Sequence, residues 1–287
     1  MLFRSSTDRL IDYYLQAGAD GITILGIMGE APKLEQSEAL AFAERCIARA
    51  PHLPFIVGVS APGFAAMRAL ARSAMEKGAA GVMIAPLPSL RTDDQIVTYY
   101  SQAVEAIGAD VPFVIQDYPL TLSVIMTPVV ISRIITDNPS CVMLKHEDWP
   151  GLEKISTLRK LEAGGSLRHV SILTGNGGLF LDFEMERGAD GAMTGYAFPE
   201  LLIELVRLSR TGERDQAHDL FDMHLPLLRY EQQQGIGLAV RKYTLMRRGI
   251  LTSDAQRKPS AGLTATAKAE VEYLLARLAR QYPVARL

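Results

Sequence analysis

A short glycine-containing phrase recurs along the chain, each time between a helical pattern and an apolar run. Gly-Ala-x-Gly phrases begin at Gly18, Gly78 and Gly188, and a shorter Gly-Ala-Asp begins at Gly108. A glycine just past a helix end supplies the left-handed C-cap, after which the chain enters a strand. Three more apolar runs lie at 55–59, 142–145 and 171–174. The pattern predicts seven strands alternating with helices, in a parallel sheet buried on both faces.

Two α/β architectures fit this alternation, a closed (β/α)8 TIM barrel and an open doubly wound sheet. The length of 287 residues favours the barrel, for which ~250 residues is typical. No Gly-x-Gly-x-x-Gly turn follows an early strand, as it does in dinucleotide-binding doubly wound sheets. Small and polar residues gather after the predicted strands, where barrel enzymes place their chemistry. We therefore predict a TIM barrel.

The strand count falls one short of the eight that a barrel needs. Residues 5–8, Ser-Ser-Thr-Asp, resemble an N-cap, so the chain is expected to open with a helix and to lack the first strand. The predicted barrel covers residues 1–210, and residues 211–287 form a C-terminal helical extension packed on it. The last four predicted helices span 200–209, 214–230, 235–248 and 264–280.

Composition excludes several classes of partner. The net charge is −2, from 30 basic and 32 acidic residues, so no nucleic-acid or membrane partner is indicated. No apolar stretch approaches the ~18 residues of a membrane span. Cys46 and Cys141 do not suggest a disulfide framework, and no apolar signal segment is evident, so we expect a cytoplasmic protein. The five histidines lack metal-ligand spacing, so no metal site is expected.

Lys145 is the most chemically suggestive residue, because it ends a short apolar run and is followed by His146 and Glu147. An amine held away from water can act as a nucleophile toward carbonyl groups. The alternative is a lysine that reaches solvent or pairs with a neighbouring carboxylate. Side chains alternate along a strand, so Glu147 is expected on the same side as Lys145, and His146 on the other.

Further candidates for a substrate pocket lie after the other strands. Tyr118, on the strand next to Lys145, could exchange protons with it, or could simply pack on the core. Glu30 could bind a ligand or cap the next helix, and Ser60 could bond a substrate hydroxyl or cap a turn. The predicted substrate-binding residues are Gly29, Glu30, Ser60, Glu147, Gly175, Asn176 and Thr194.

Five motifs in order make the chain resemble the dihydrodipicolinate synthase / N-acetylneuraminate lyase superfamily along nearly its whole length. They are Gly26-Ile27-Met28-Gly29-Glu30, Gln116-Asp117-Tyr118-Pro119, Lys145, Thr174-Gly175-Asn176, and the segment from Gly188 to Thr194. The resemblance implies that Lys145 is the Schiff-base lysine and that the protein is a homotetramer. It also implies that no metal or organic cofactor is needed.

Departures from the superfamily pattern narrow the expected activity. Ile27 and Met28 stand where two hydroxyl residues are usual, Gln116 takes the strict position of the motif tyrosine, and no arginine follows Pro119. These differences argue against an authentic dihydrodipicolinate synthase. Four segments instead look like L-2-keto-3-deoxyarabonate dehydratase: Gly-Glu-Ala-Pro-Lys-Leu, Val-Ser-Ala-Pro-Gly-Phe, Gln-Asp-Tyr-Pro-Leu-Thr and Leu-Lys-His-Glu-Asp.

The resemblance implies a lyase of L-arabinose catabolism that dehydrates a 2-keto-3-deoxy sugar acid to 2-oxoglutarate semialdehyde. Lys145 would form an iminium with the substrate, and an enamine would then expel the C4 hydroxyl. One alternative is an aldolase that forms the same Schiff base and cleaves C3–C4 to give pyruvate and glycolaldehyde. A further alternative is a keto-acid-binding protein without catalysis.

Overall fold

A computed structural model of the protein describes residues 2–281 and divides the chain into two compact units. The sheet unit consists of Asp20–Gly175 and Phe183–Met193. The helical unit consists of the described parts of Met1–Ala19, Asn176–Asp182 and Thr194–Leu287. Neither unit is a single continuous stretch of sequence, and the division at residue 210 stays a prediction.

The sheet unit contains seven parallel strands, and each strand pairs with the next one along the chain. This sequential order is typical of the TIM-barrel class, because a doubly wound sheet reverses its strand order at a switch point. β1 and β7 are the two ends of this order, and the missing first strand of the barrel stays a prediction. The strands are β1 (Ile22–Ile24), β2 (Phe55–Gly58), β3 (Gly81–Ile84), β4 (Phe113–Asp117), β5 (Cys141–His146), β6 (Ser171–Thr174) and β7 (Gly191–Ala192).

The strands alternate with helices along the chain, as the sequence pattern predicts, and most of their residues are buried. Every residue of β3 and β4 is buried. Gly78 and Gly108 have positive φ angles of 95° and 111°, so both glycines make the left-handed turn between a helix and the next strand. The helices of this part of the chain are α2 (Gln36–Arg49), α3 (Phe64–Glu76), α4 (Asp93–Ile107), α5 (Pro119–Leu122), α6 (Pro128–Asp137), α7 (Leu152–Ala163) and α8 (Leu181–Glu186).

A β-bulge in β5 sets the register between β4 and β5. Phe113 is opposite Cys141, but the next residue, Val114, is opposite Met143, so Val142 is left without a partner in the pairing. Val142 is 42% exposed, whereas the other strand residues are buried or half-buried. The extra residue brings Lys145 opposite Gln116. The bulge therefore determines which side chain of β4 lies beside the lysine.

The helical unit contains α1 (Leu2–Ala17), α9 (Pro199–Arg210), α10 (Arg214–Glu231), α11 (Gly237–Arg247) and α12 (Ala265–Gln281). The last four coincide closely with the predicted helices. The predicted N-cap at residues 5–8 is wrong, because α1 begins at Leu2 and these residues lie within it. The Ser6 hydroxyl lies 3.1 Å from that of Thr252, and hydroxyl residues are tolerated inside a helix when such partners exist. Among the described residues, no helix has the length and apolarity to span a membrane.

Candidate active site

Lys145 lies one residue before the carboxyl end of β5, beside Gln116 of β4 and Leu173 of β6. Its side chain is 12% exposed, and its Nζ lies 2.9 Å from Oε2 of Glu147. A mostly desolvated amine with a carboxylate at hydrogen-bond distance has a nearby group that can take up its proton. The position therefore suits a nucleophile toward a carbonyl carbon.

Glu147 follows β5 directly and is almost fully buried, with its side chain 6% exposed. Its Oε2 also accepts a 2.8 Å hydrogen bond from Nε2 of Gln116. The ion pair with Lys145 agrees with the strand alternation that placed Glu147 on the lysine side. One carboxylate oxygen thus joins an amine and an amide, and this arrangement fixes the orientation of the carboxylate.

Gly175 leaves the space that the Glu147 side chain occupies. A methyl group at position 175 would lie 2.2 Å from Cγ of Glu147 and 2.4 Å from Oε1, closer than real Cβ contacts allow. The Gly175 N–H donates to the carbonyl of His146, which continues the pairing of β5 and β6 beyond the strand ends. Gly175 was predicted to contact substrate, and the structure gives it a steric reason to be glycine.

Tyr118, the predicted proton-transfer partner of Lys145, is half-buried just after β4. No hydrogen bond of its hydroxyl is seen among the residues whose side chains are described. The strand register places Gln116 opposite Lys145, two residues before Tyr118. The catalytic role of Tyr118 therefore stays a prediction.

The candidates that follow β1 and β2 have the following surroundings. Gly29 is exposed, and Glu30 has a left-handed conformation (φ 59°) between two short 3-10 turns. Glu30 makes no side-chain cap hydrogen bond, and its carboxylate lies 3.4 Å from Nζ of Lys33. Ser60 is exposed, and its Oγ accepts a 2.8 Å hydrogen bond from the N–H of Ala85. Ser60 thus bonds the end of the neighbouring strand, and its hydroxyl proton can still be donated to a ligand.

Asn176 and Thr194 belong to the helical unit. Asn176 begins a short 3-10 turn with a positive φ of 49°. The Oγ1 of Thr194 accepts a 2.7 Å hydrogen bond from the N–H of Gly177. Thr194 therefore holds the turn that Asn176 begins.

Gln116 is the site residue that the sequence reasoning did not assign. It is 2% exposed, and its amide is the direct partner of the Glu147 carboxylate. Its position in the motif, where the superfamily has a tyrosine, could have indicated that Gln116 lies in the site. The sequence predicts a role in the site for Tyr118, the residue of the motif that carries a hydroxyl.

Within the described residues, no group of three or more His, Cys, Asp and Glu side chains is arranged to hold a metal ion. In the sheet unit, Lys145 and Gln116 bring an amine and an amide within hydrogen-bond distance of the Glu147 carboxylate. Such a group can form a covalent imine with a carbonyl compound and move a proton beside it.

Comparison with known proteins agrees with this fold. A model of the Dihydrodipicolinate synthetase family matches residues 2–278. The chain belongs to this family. A crystal structure of dihydrodipicolinate synthase from Rhodopseudomonas palustris is 68% identical, covers 96% of this chain and 91% of that chain, and superposes with a TM-score of 0.94. The family's parallel α/β fold is thus shared along nearly the whole chain.

Two curated relatives differ in their named activities. L-2-keto-3-deoxyarabonate dehydratase of Azospirillum brasilense is 26% identical over 279 residues, which cover 96% of this chain and 88% of the relative. A probable 2-dehydro-3-deoxy-D-pentonate aldolase of Escherichia coli (strain K12) is 25% identical over 263 residues, 85% of each protein. The chain is a lyase of the Dihydrodipicolinate synthetase family, and these names point to different substrates within it.

Proposed function

We propose that the protein is a Schiff-base lyase that dehydrates L-2-keto-3-deoxyarabonate to 2-oxoglutarate semialdehyde and water. The observation that carries the proposal is the Lys145 amine 2.9 Å from the Glu147 carboxylate, which the Gln116 amide holds at 2.8 Å. The similarity to the Azospirillum brasilense dehydratase supports the choice of substrate.

In the first step, Lys145 transfers its proton to Glu147 and attacks the C2 carbonyl of the substrate. Loss of the former carbonyl oxygen as water gives an iminium. The positive nitrogen acidifies the C3 protons, so a carboxylate can remove one of them and form an enamine. No redox partner and no metal enter this step.

In the second step, the enamine expels the C4 hydroxyl, which leaves as water after taking a proton. The resulting unsaturated iminium loses a proton from C5 and becomes a neutral dienamine that is also an enol. It takes a proton back at C3 to regenerate the iminium, and the enol rearranges to the C5 aldehyde. Hydrolysis consumes the one water released on imine formation and regenerates Lys145. The balance is the loss of one water from the sugar acid, without oxidation or reduction.

Glu147 is the proposed proton-transfer group, because it contacts the amine directly. The Gln116 amide has no proton of suitable acidity, so it orients the carboxylate and does not replace it. Tyr118 remains the proposed second proton donor, for the departing hydroxyl. Gly29, Glu30, Ser60, Gly175, Asn176 and Thr194 are the proposed contacts of the substrate carboxylate and hydroxyls.

Dihydrodipicolinate synthase activity, named for the Rhodopseudomonas palustris relative, is a competing reaction. Two features of this chain argue against it. Ile27 and Met28 replace the hydroxyl pair of the superfamily motif, and residues 120–122 are Leu-Thr-Leu, without the arginine expected to bind aspartate semialdehyde. The synthase reaction is therefore one outcome of the test below.

Aldol cleavage is the second candidate function, and the similarity to the Escherichia coli aldolase favours it. The same iminium would lose the proton of the C4 hydroxyl, and the C3–C4 bond would break. Protonation of the pyruvate enamine at C3 and hydrolysis would then release pyruvate and glycolaldehyde. Lys145 and Glu147 serve both reactions, so product analysis distinguishes them.

Intact-mass analysis after borohydride reduction with pyruvate tests the covalent step, on the wild type, Lys145→Ala and the control Lys160→Ala. Lys160 is an exposed lysine of α7. We expect a pyruvyl adduct on the wild type and the control but not on Lys145→Ala. No adduct on a folded wild type would exclude the Schiff base and favour a keto-acid-binding protein.

The products formed from L-2-keto-3-deoxyarabonate then decide the reaction class. We expect 2-oxoglutarate semialdehyde, whereas pyruvate with glycolaldehyde would establish the aldolase. Consumption of aspartate semialdehyde with pyruvate, with no turnover of the sugar acid, would establish the synthase.

We also propose that the protein is a cytoplasmic homotetramer that needs no metal or organic cofactor. Light scattering tests the tetramer, and activity after chelation tests the independence from metal.

A further inference from the structure

A second charged cluster lies on the opposite side of β4 and β5 from Lys145. Asp117 and His146 are opposite each other in the register and are fully buried. Lys154, from the first turn of α7, approaches this row from outside the sheet, with its side chain 8% exposed. The proposed reaction uses none of these groups.

The Lys154 ammonium joins two carboxylates that are far apart in the sequence. Its Nζ lies 2.8 Å from Oδ2 of Asp117 and 2.6 Å from Oδ2 of Asp148. The other oxygen of Asp148 accepts a 2.7 Å hydrogen bond from the N–H of Trp149, so this carboxylate is held on both sides. One buried cation thus connects the end of β4, the loop after β5 and the start of α7.

The two carboxylates occupy related positions. Asp117 directly follows Gln116, and Asp148 directly follows Glu147. Gln116 and Glu147 form the 2.8 Å hydrogen bond on the other side of the strands. Lys154 therefore binds both Asp117 and Asp148, which directly follow the two residues of that hydrogen bond. A shift of this ammonium would move both partners, because each is covalently attached to a residue that it holds.

The surroundings of the cluster leave little room for such a shift. His146 Nδ1 lies 3.6 Å from the same Asp117 oxygen. A methyl group at Gly151 would lie 2.3 Å from His146 Nε2, so the ring is packed against the loop that precedes α7. The Glu147 N–H also donates to the Asp117 carbonyl at 2.8 Å.

We propose that Lys154 is a positioning residue for catalysis, which aligns Glu147 with Gln116 and Lys145 through Asp117 and Asp148. The proposal rests on the proposed Schiff-base function. It separates two quantities: the amount of imine that accumulates on Lys145 at equilibrium, which a slower proton transfer to Glu147 changes little, and the rate of proton transfer at C3, which depends on the position of Glu147. A displacement of about 1 Å can cost about 10²-fold in rate.

The test uses pyruvate as the probe and measures both quantities. Borohydride trapping reports imine formation at Lys145, and exchange of the pyruvate methyl protons with D2O, followed by NMR, reports proton transfer at C3. For Lys154→Met, we expect trapping within about threefold of the wild type and exchange slowed about 10²-fold. Lys154→Arg should recover part of the exchange rate, and Lys160→Met, at an exposed position of the same helix, should leave both unchanged.

Lys154→Met leaves two carboxylates without their cation, so it is strongly destabilising and can fail to fold. Asp148→Asn is the second, milder variant, because the Asp148 side chain is 16% exposed. The asparagine oxygen can still accept the hydrogen bond from the N–H of Trp149. For Asp148→Asn we again expect retained trapping and slower exchange of the pyruvate protons, with a smaller decrease than in Lys154→Met. Thermal unfolding identifies the temperature at which each variant is folded, and both assays are run there.

A thermodynamic cycle with Gln116→Ala distinguishes positioning from a general effect. If Lys154 acts through the Gln116–Glu147 hydrogen bond, that bond is already lost in Gln116→Ala. Adding Asp148→Asn to Gln116→Ala should then change the exchange rate of the pyruvate methyl protons by less than about threefold. The proposal would be overturned if Asp148→Asn slowed exchange equally with and without Gln116→Ala. It would also be overturned if folded Lys154→Met and Asp148→Asn exchanged the pyruvate protons at the wild-type rate. Absence of trapping on the wild type would instead overturn the proposed function, and the positioning role with it.

Discussion

The two units of the protein bury charges in different ways. In the sheet unit, Lys145 and Lys154 meet carboxylates at the ends of strands. In the helical unit, arginines take the same role: Arg241 lies 2.6 Å from Glu231, and Arg248 lies 2.9 Å from Glu200. Both arrangements satisfy the requirement that a buried charge be paired.

The arginine pairs of the helical unit are tied into the main chain. The second Glu231 oxygen accepts from the N–H of Ala197, and Arg248 donates to the Ala197 carbonyl. The Arg248 guanidinium also lies 3.9 Å from the ring centroid of Phe198. A planar group with five donors suits such multiple, fixed contacts. These pairs connect α10 with α11 and the end of α11 with α9.

The lysine pairs of the sheet unit have a different character. An ammonium is a point charge with three rotatable donors, and it can become a nucleophile after losing one proton. Among the residues whose side chains are described, Glu147 is the partner seen for Lys145. The comparison teaches that residue choice matters beyond burial: the arginine pairs suit fixed contacts, whereas a buried lysine pair can position other groups, as proposed for Lys154, or react, as proposed for Lys145.

The largest effect that would sharpen this comparison is expected for Glu147→Gln. We expect turnover of the sugar acid to fall by up to about 10⁴-fold, the upper range for loss of a general acid–base group. Steady-state kinetics on this variant and on Glu153→Gln, an exposed glutamate of α7, provide the measurement. Full activity of Glu147→Gln would remove Glu147 from the mechanism.

Arg241→Met tests the structural side of the comparison. Burial raises the pKa of the Glu231 carboxyl, and the charge of Arg241 opposes this shift. Removing the arginine leaves a buried carboxylate, so we expect a loss of about 4 kcal/mol in the free energy of unfolding. Borohydride trapping in the folded variant should be unchanged. Urea unfolding is the measurement, with Arg207→Met, from the exposed pair with Glu204, as the control with a much smaller loss. A loss in Arg241→Met no larger than the control would contradict the structural role.

The strands and the Lys145–Glu147 side of the site could be predicted from the sequence, because both depend on local patterns. Glycines past helix ends marked the strand starts, and alternation along β5 placed Glu147 with Lys145. The N-cap at residues 5–8 was wrong, since hydroxyl residues also occur within helices. Local pattern cannot tell whether a side chain such as that of Ser6 caps the helix or bonds a distant Thr252.

The role of Gln116 could not be predicted, because it depends on distant parts of the chain. Its partner Glu147 lies 31 residues away, and the register between their strands depends on the bulge at Val142. A bulge leaves no mark in an apolar run, so a sequence pattern cannot fix which residue of β4 lies beside Lys145. The steric role of Gly175 follows from the same three-dimensional packing.

Gly175→Ala is expected to have the third-largest effect. The new methyl group would overlap Cγ and Oε1 of Glu147, so the carboxylate must move away from Lys145 and Gln116. We expect turnover to fall about 10²-fold, with pyruvate trapping by Lys145 retained. Gly262→Ala is the control, because nothing lies within 4 Å of the added carbon there. Wild-type turnover in Gly175→Ala would show that the site tolerates a displaced carboxylate.

The smallest effect concerns His224 of the helical unit, whose imidazole lies 3.2 Å from the Tyr196 hydroxyl. Burial lowers the pKa of His224 from 6.5 to about 4, the Glu200 carboxylate opposes this shift, and Arg248 reinforces it. Between these pH values the unfolded chain binds a proton that the folded protein does not. The stability is therefore complete above pH 6.5 and falls on acidification, by about 2 kcal/mol from pH 7 to pH 5.

Urea unfolding of the wild type and of His224→Phe at pH 7 and pH 5 measures this contribution as the difference between their pH dependences. Phenylalanine keeps an aromatic ring against Tyr196 and Phe198 but cannot be protonated, so the fall on acidification should be smaller in the variant by that amount. His52→Phe, at an exposed position of the sheet unit, should behave as the wild type. Equal pH dependence in His224→Phe and the wild type would mean that acid acts on the helical unit through other groups. The comparison would then rest on the arginine pairs alone.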